Sequence, residues 1–166
     1  MGSRIEKAIP SDAAMLLEYL KQVGGETDNL TFGPEGMPFS VEAEFISSME
    51  NSIDNIMLLA KSDDKIVGCA SLNRLPRRMK HRGDFAISVA KDYWNKGIGS
   101  QLLNNIIAFA KENDFEVIDL QVRGNNKNAI HLYEKYRFKK IGEHPAFFKI
   151  DDENISFDIM CLKIYE

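Results

Sequence analysis

The chain has 166 residues, 44% of them hydrophobic and 28% charged, with a formal net charge of −4, which suits one sizeable core and predicts a single domain over residues 1–166. The longest apolar runs, residues 56–60 and 106–110, fall far short of the roughly 20 residues that span a bilayer, and charged Glu6 and Lys7 stand where a secretory apolar region would begin, so a cytoplasmic protein without membrane contact is expected. Basic residues are scattered apart from Arg74, Arg77, Arg78, Lys80 and Arg82, which argues against a nucleic-acid partner.

In chain order, residues 4–9 form a short predicted strand. Pro10-Ser11-Asp12 supplies helix-start chemistry for an amphipathic helix to about Val23, with Gly24-Gly25 expected to stop it. Residues 26–39 read as a loop, and Ser40 with Glu42 and Glu44 opens a second helix to about Ser52. An apolar run from Asn55, the turn Asp63-Asp64 and residues 65–73 predict a β-hairpin. In residues 81–90, Phe85, Ile87 and Val89 alternate with Asp84, Ala86 and Ser88, the period of a half-buried strand. Gly99, Leu102, Leu103, Ile106, Ile107 and Ala110 mark one face of a helix of about four turns. Residues 117–122 follow as a buried strand, and Asn126 opens a helix with Ala129, Leu132, Tyr133 and Tyr136 on its buried face. Late strands are expected near 139–143 with 147–150, and over 155–164. The Asp151-Asp152-Glu153-Asn154 link lacks calcium-loop spacing and reads as a hairpin turn. Cys69 and Cys161 lie singly in apolar runs and read as small core residues, and no metal site is expected.

Lys96-Gly97-Ile98-Gly99-Ser100 joins a strand to an amphipathic helix, where unpaired backbone N–H groups and the helix dipole favour an anion. Taken alone, the two glycines fit a phosphate cradle or a purely structural turn equally well. They match neither G-x-x-x-x-G-K-[ST] nor G-x-G-x-x-G, whose third glycine would fall at Leu102.

Three stretches in order, residues 84–89, Tyr93-Trp94-Asn95-Lys96-Gly97-Ile98-Gly99 and residues 126–135, resemble the GNAT superfamily of acyl-CoA-dependent N-acyltransferases. The resemblance covers nearly the whole chain and is strongest over residues 66–138. It implies an α/β fold (α+β in some schemes): a mixed, mostly antiparallel sheet of about seven strands, about four flanking helices and a splayed central strand pair. Two positions depart from the family pattern. Trp94 stands where Gln or Arg is usual, and Arg137 precedes Phe138 where Gly is common.

The implied activity is transfer of acetyl from acetyl-CoA to a primary amine by direct attack in a ternary complex, with a small-molecule amine favoured as acceptor and a homodimer compatible with the family. Alternatives are a catalytically silent acyl-CoA-binding module and a protein N-terminal or lysine acetyltransferase. The resemblance assigns the cofactor to Ile87, Ser88 and Val89 on the strand, to Trp94, Asn95, Lys96, Gly97, Ile98, Gly99 and Ser100 in the loop, and to Asn126 and Tyr133. Tyr133 would be the general acid for the thiolate. Asp84, or His81 beside it, is the candidate base, although Asp84 could equally pair with Arg82. Glu26 and Asp28, in the loop after the first helix, are candidates for binding a cationic amine, or solvated acids.

Overall fold

In the computed structural model, which describes residues 3–30, 33, 35, 44, 46–49 and 51–165, seven strands form one sheet: β1 (Arg4–Lys7), β2 (Asn55–Ser62), β3 (Lys65–Arg74), β4 (Arg82–Val89), β5 (Val117–Arg123), β6 (Lys139–Ile150) and β7 (Glu153–Lys163), in the order β1-β2-β3-β4-β5-β7-β6. All neighbours are antiparallel except β4 and β5, which run parallel. The helices are α1 (Ala13–Glu26), α2 (Ile98–Glu112) and α3 (Lys127–Lys135). The expected helix start at Ser40 and Glu42 lies outside the described residues; Glu44 and residues 46–49 are helical.

The two hairpins turn as the sequence suggests. Asp63 and Asp64, like Asp151 and Asp152, all take positive φ between 49° and 64°, the pattern of two-residue turns whose twist matches antiparallel strands. The first of the two late strands differs from expectation in running unbroken as β6, bent by register shifts between Lys140 and Gly142 and between His144 and Phe148. Neither Cys69 nor Cys161 forms a disulfide, and both are half-buried rather than fully in the core.

Helix α1 runs through Gly24-Gly25 instead of stopping there. Tertiary contacts override glycine's poor propensity: Val23 and Gly24 are buried against the sheet, Thr27 N–H closes the last turn on the Val23 carbonyl, and the Glu26 carboxylate accepts the Lys91 N–H at 2.9 Å. At the other end, a 3-10 turn (Pro10–Asp12) precedes the helix. Asp12 accepts Ile9 N–H at 2.9 Å and the buried Lys61 ammonium at 2.9 Å, tying the helix start to β2.

Two cores flank the sheet. On one face, α2 and α3 bury Leu102, Leu103, Ile106 and Tyr133 against Leu72, Phe85, Ile118 and Leu120; on the other, Leu16, Tyr19 and Val23 of α1 meet Met57, Leu59 and Ile66. Alternation along the strands accounts for the division, since successive side chains point to opposite faces. No helix among the described residues is long and apolar enough to cross a membrane.

Strand β4 is paired with β3 along its whole length to Val89, but with β5 only at Arg82, Gly83 and Asp84. From Phe85 onward the two parallel strands part. This is the expected splay, and it lies at the middle of the sheet.

Candidate active site

The register of β4 decides which backbone groups face the splay. Ala90 donates its N–H to the Val67 carbonyl at 2.9 Å and Leu75 donates to the Arg82 carbonyl at 3.0 Å. The even-numbered residues of β4 therefore direct N–H and C=O towards β3, and in an alternating antiparallel ladder the odd-numbered ones direct theirs the other way. Phe85, Ile87 and Val89 thus turn their backbone groups to the side β5 has left. Their side chains belong to the α2–α3 core, as the alternation predicts.

After β4 the chain makes a 3-10 turn (Lys91–Tyr93) and then enters α2 through Asn95 at φ 61° and Gly97 at φ 82°. Gly97 is the N-cap, and its carbonyl accepts Gln101 N–H at 3.0 Å. The N–H groups of Ile98, Gly99 and Ser100 then have no intrahelical acceptor and carry the positive end of the helix dipole. A Cβ on Gly99 would lie 3.3 Å from Leu132 Cδ2, so this glycine lets α3 come close to the start of α2.

Helix α3 is capped by Asn126, whose Oδ1 accepts Ala129 N–H at 3.3 Å. That leaves the side-chain NH2 as a donor to the cleft. Tyr133, about two turns on, is 5% exposed, edge-on to Phe85 at 6.2 Å and tilted against Phe138 at 5.7 Å. Burial pushes its phenol well above the ordinary range, so the hydroxyl stays protonated and able to donate. No hydrogen bond ties that hydroxyl among the described residues.

These parts enclose one cleft of about 550 Å³, lined by Ile87, Ser88, Val89, Trp94, Asn95, Gly97, Ile98, Gly99, Ser100, Asn126 and Tyr133. Eleven sequence-named residues thus meet in one place. Lys96 does not line it; its ammonium lies 5.1 Å from the Tyr93 ring centroid. Thr27, Asn29 and Leu30, in the loop after the first helix, and Asn128, in the 126–135 stretch, also contribute to the wall, together with Val23 and Asn125, to which the sequence gives no role in the site. Leu132 and Ala129 were legible only as a helix face.

Asp84 does not line the cleft. It lies at the closed end of the splay, the last β4 residue paired with β5, and its Oδ1 accepts Gln121 Nε2 at 3.1 Å. Burial, above all, raises its pKa; the Gln121 bond and Arg82 act against that, and Asp119 adds to it. Arg82 forms its ion pair with Asp119, at 2.7 Å, instead of with Asp84. His81 precedes β4 by one residue, and eight residues of strand put it about 26 Å from Val89, too far to take a proton there.

Glu26 and Asp28 are also already engaged. Glu26 holds Lys91 N–H and Gln22 Nε2, and Asp28 pairs with Arg123 at 2.6 Å. Together they hold the stretch after α1 to the end of β4 on one side and to the end of β5 on the other. No group of three or more potential metal ligands occurs among the described residues.

Residues 26–138 match the model of the acetyltransferase (GNAT) family. The chain belongs to this family. A GNAT-family acetyltransferase from Streptococcus pneumoniae has the same fold, with a TM-score of 0.91 and 30% identity over 97% of this chain and 99% of that one. A phosphinothricin acetyltransferase from Sinorhizobium meliloti, solved in complex with acetyl-CoA, shares the fold with a TM-score of 0.84 and 16% identity, covering 98% and 89% of the two chains. Among curated proteins, streptothricin acetyltransferase A of Bacillus subtilis is 46% identical over 52 residues, 31% of this chain and 30% of that protein. An N-alpha-acetyltransferase of Sulfurisphaera tokodaii is 30% identical over 118 residues, 65% of this chain and 68% of that protein. With several other relatives the match spans only 22% to 56% of their length. The GNAT family as a whole transfers acetyl groups from acetyl-CoA.

Arg137, the second departure from the family pattern, has φ 73°. Its N–H and that of Phe138 close the end of α3 on the Glu134 and Tyr133 carbonyls, the left-handed helix ending that glycine normally serves. Arg137→Gly is expected to raise stability by about 1 kcal/mol, from relief of left-handed strain, measured as a shift of the denaturant midpoint at unchanged slope.

Proposed function

We propose that the protein transfers the acetyl group of acetyl-CoA to a primary amine by direct attack in a ternary complex. The observation that carries this reading is the convergence, in one cleft, of an unpaired β4 backbone edge, a helix N-terminus entered through left-handed Gly97, and a buried phenol. When bound, acetyl-CoA supplies an activated thioester carbonyl. The N–H groups of residues 98–100 bind its pyrophosphate, and the edge of Ile87 and Val89 that β5 has left holds the pantetheine arm as an added strand. Val89 N–H polarises the thioester oxygen. As the amine nitrogen bonds to the carbonyl carbon and the C–S bond breaks, Tyr133 gives its proton to the departing sulfur. The phenolate then recovers a proton from water.

Asp84 accepts the proton lost by the amine through a chain of intervening waters, since five residues of strand separate it from Val89 by about 16 Å. Only the carboxylate can do this, so activity is retained above the Asp84 pKa and lost as pH falls through it. Because that pKa is raised, the acidic limb should lie above the ordinary aspartate range. Asp84→Asn is expected to remove the limb and lower kcat by about 10²-fold; a kcat–pH profile of unchanged shape would assign the proton to solvent.

A small-molecule amine is the favoured acceptor, in line with the local likeness to streptothricin acetyltransferase A. The longer match to an N-alpha-acetyltransferase supports a second reading, a peptide N-terminus. In either case Glu26 and Asp28 act by fixing the Thr27–Leu30 stretch against Lys91 and Arg123. The test is the rate of acetyl transfer to a panel of small amines against peptides with free N-termini. Higher kcat/KM for small amines is expected, and a preference for peptides would replace the first reading by the second.

A further inference from the structure

Trp94 is the chain's single tryptophan. Its side chain reaches back over the Lys91–Tyr93 turn, and Nε1–H donates to the Val89 carbonyl at 2.8 Å. That carbonyl is one of the odd-numbered groups that face the splay. An indole N–H is a donor with no acceptor function, so it offers Val89 what an amide N–H of a pantetheine arm lying along β4 would offer. We infer that in the free protein the Trp94 indole stands in for the pantetheine amide on Val89, and that coenzyme A displaces it on binding. Trp94 is then a residue that sets cofactor affinity by competition. The inference rests on the acetyl-CoA reading above.

The surroundings permit the exchange. Trp94 is 41% exposed and lines the cleft beside Val89 and Asn95, so a displaced indole can find water without opening the core. No side chain among the described residues donates to Ile87, and that part of the edge is free to pair directly. A bond at an exposed rim is weak, which limits the competition to roughly two- to tenfold in affinity.

The test is to follow the emission of wild-type Trp94 during titration with coenzyme A and with 3′-phosphoadenosine 5′-diphosphate, which has the pyrophosphate and lacks the pantetheine. Calorimetry of wild type, Trp94→Phe and Trp94→Leu with both ligands completes it, two variants guarding against one that fails to fold. Coenzyme A is expected to shift the emission to longer wavelength and to bind both variants about two- to tenfold more tightly than wild type. The truncated nucleotide should do neither. Variants that bind coenzyme A no more tightly than wild type, or the same emission shift with both ligands, would overturn the inference and leave the acetyl-CoA site standing. Failure of the wild type to bind either ligand would overturn the site itself.

Discussion

Gly97→Glu is expected to weaken acetyl-CoA binding by at least about 10²-fold, with little effect on the folded core. Gly97 has φ 82°, and a Cβ built there meets nothing within 4 Å, so the obstacle to substitution is backbone conformation and not space. An ordinary residue in this region costs about 1–2 kcal/mol, which the loop can relieve only by reorienting the N–H groups that follow it. The new carboxylate also stands at the mouth of the proposed anion site. A like charge about 6 Å from a phosphate repels by about 3 kcal/mol at an effective dielectric near 20, before salt screening. Gly97→Asn separates the two effects, because asparagine is neutral and tolerates left-handed geometry, and it should retain affinity to within about fivefold. Calorimetric titration of both variants checks the pair. Equal losses would mean that conformation alone governs the cradle.

Tyr133→Phe is expected to lower kcat by about 10²-fold, towards the lower end of what a positioned general acid contributes, while KM for acetyl-CoA changes little. The ring contacts with Phe85 and Phe138 survive the substitution, and the hydroxyl has no hydrogen-bond partner among the described residues whose loss would disturb the fold. Thermal stability should therefore hold or rise slightly, since a buried phenol loses its desolvation cost. That combination distinguishes an acid from a packing residue. If Tyr133 merely filled the core, kcat would be unaffected. The raised phenol pKa adds a pH signature: the proton is present throughout the neutral range, so no basic limb near neutrality should belong to Tyr133.

What could be read from the sequence follows how local each determinant is. Alternation in Phe85, Ile87 and Val89 and the 3.6-residue period of Leu102, Leu103 and Ile106 announce elements through side-chain spacing alone, and the Asp-Asp turns announce hairpins through backbone preference. Asn126 and Tyr133 are legible in the same way as a helix start and a buried helix face, whereas their place in the cleft is what the GNAT resemblance implies. Residues brought in by tertiary contact are not legible in this way. Nothing local links Asp28 to Arg123, 95 positions away, at 2.6 Å, so two acids that look free in the sequence prove to brace a loop. Likewise Arg82 sits two residues from Asp84 in sequence but on β4 faces Asp119 of β5, which no pattern along one strand encodes. Gly24-Gly25 illustrates the opposite error. A strong local stop signal gave way to burial of one face and an anchored carboxylate at Glu26.

The two departures from the family pattern have structural accounts of different kinds. Arg137 occupies a left-handed helix end at a cost in stability, whereas Trp94 supplies a hydrogen bond to the Val89 carbonyl from a rigid ring, which glutamine or arginine at the same place would have to make with a more flexible side chain. Neither removes the backbone groups on which the cofactor reading depends.

The most direct test of that reading is a mass measurement on one reaction, with protein, acetyl-CoA and a mixed panel of primary amines, alongside controls lacking either the amines or the protein. The account predicts an acetylated amine and an equal amount of free coenzyme A only when all three are present, with the protein's own mass unchanged. Release of coenzyme A with the acetyl group left on the protein, or tight binding of acetyl-CoA with no acetylated amine across small amines and peptides, would contradict it.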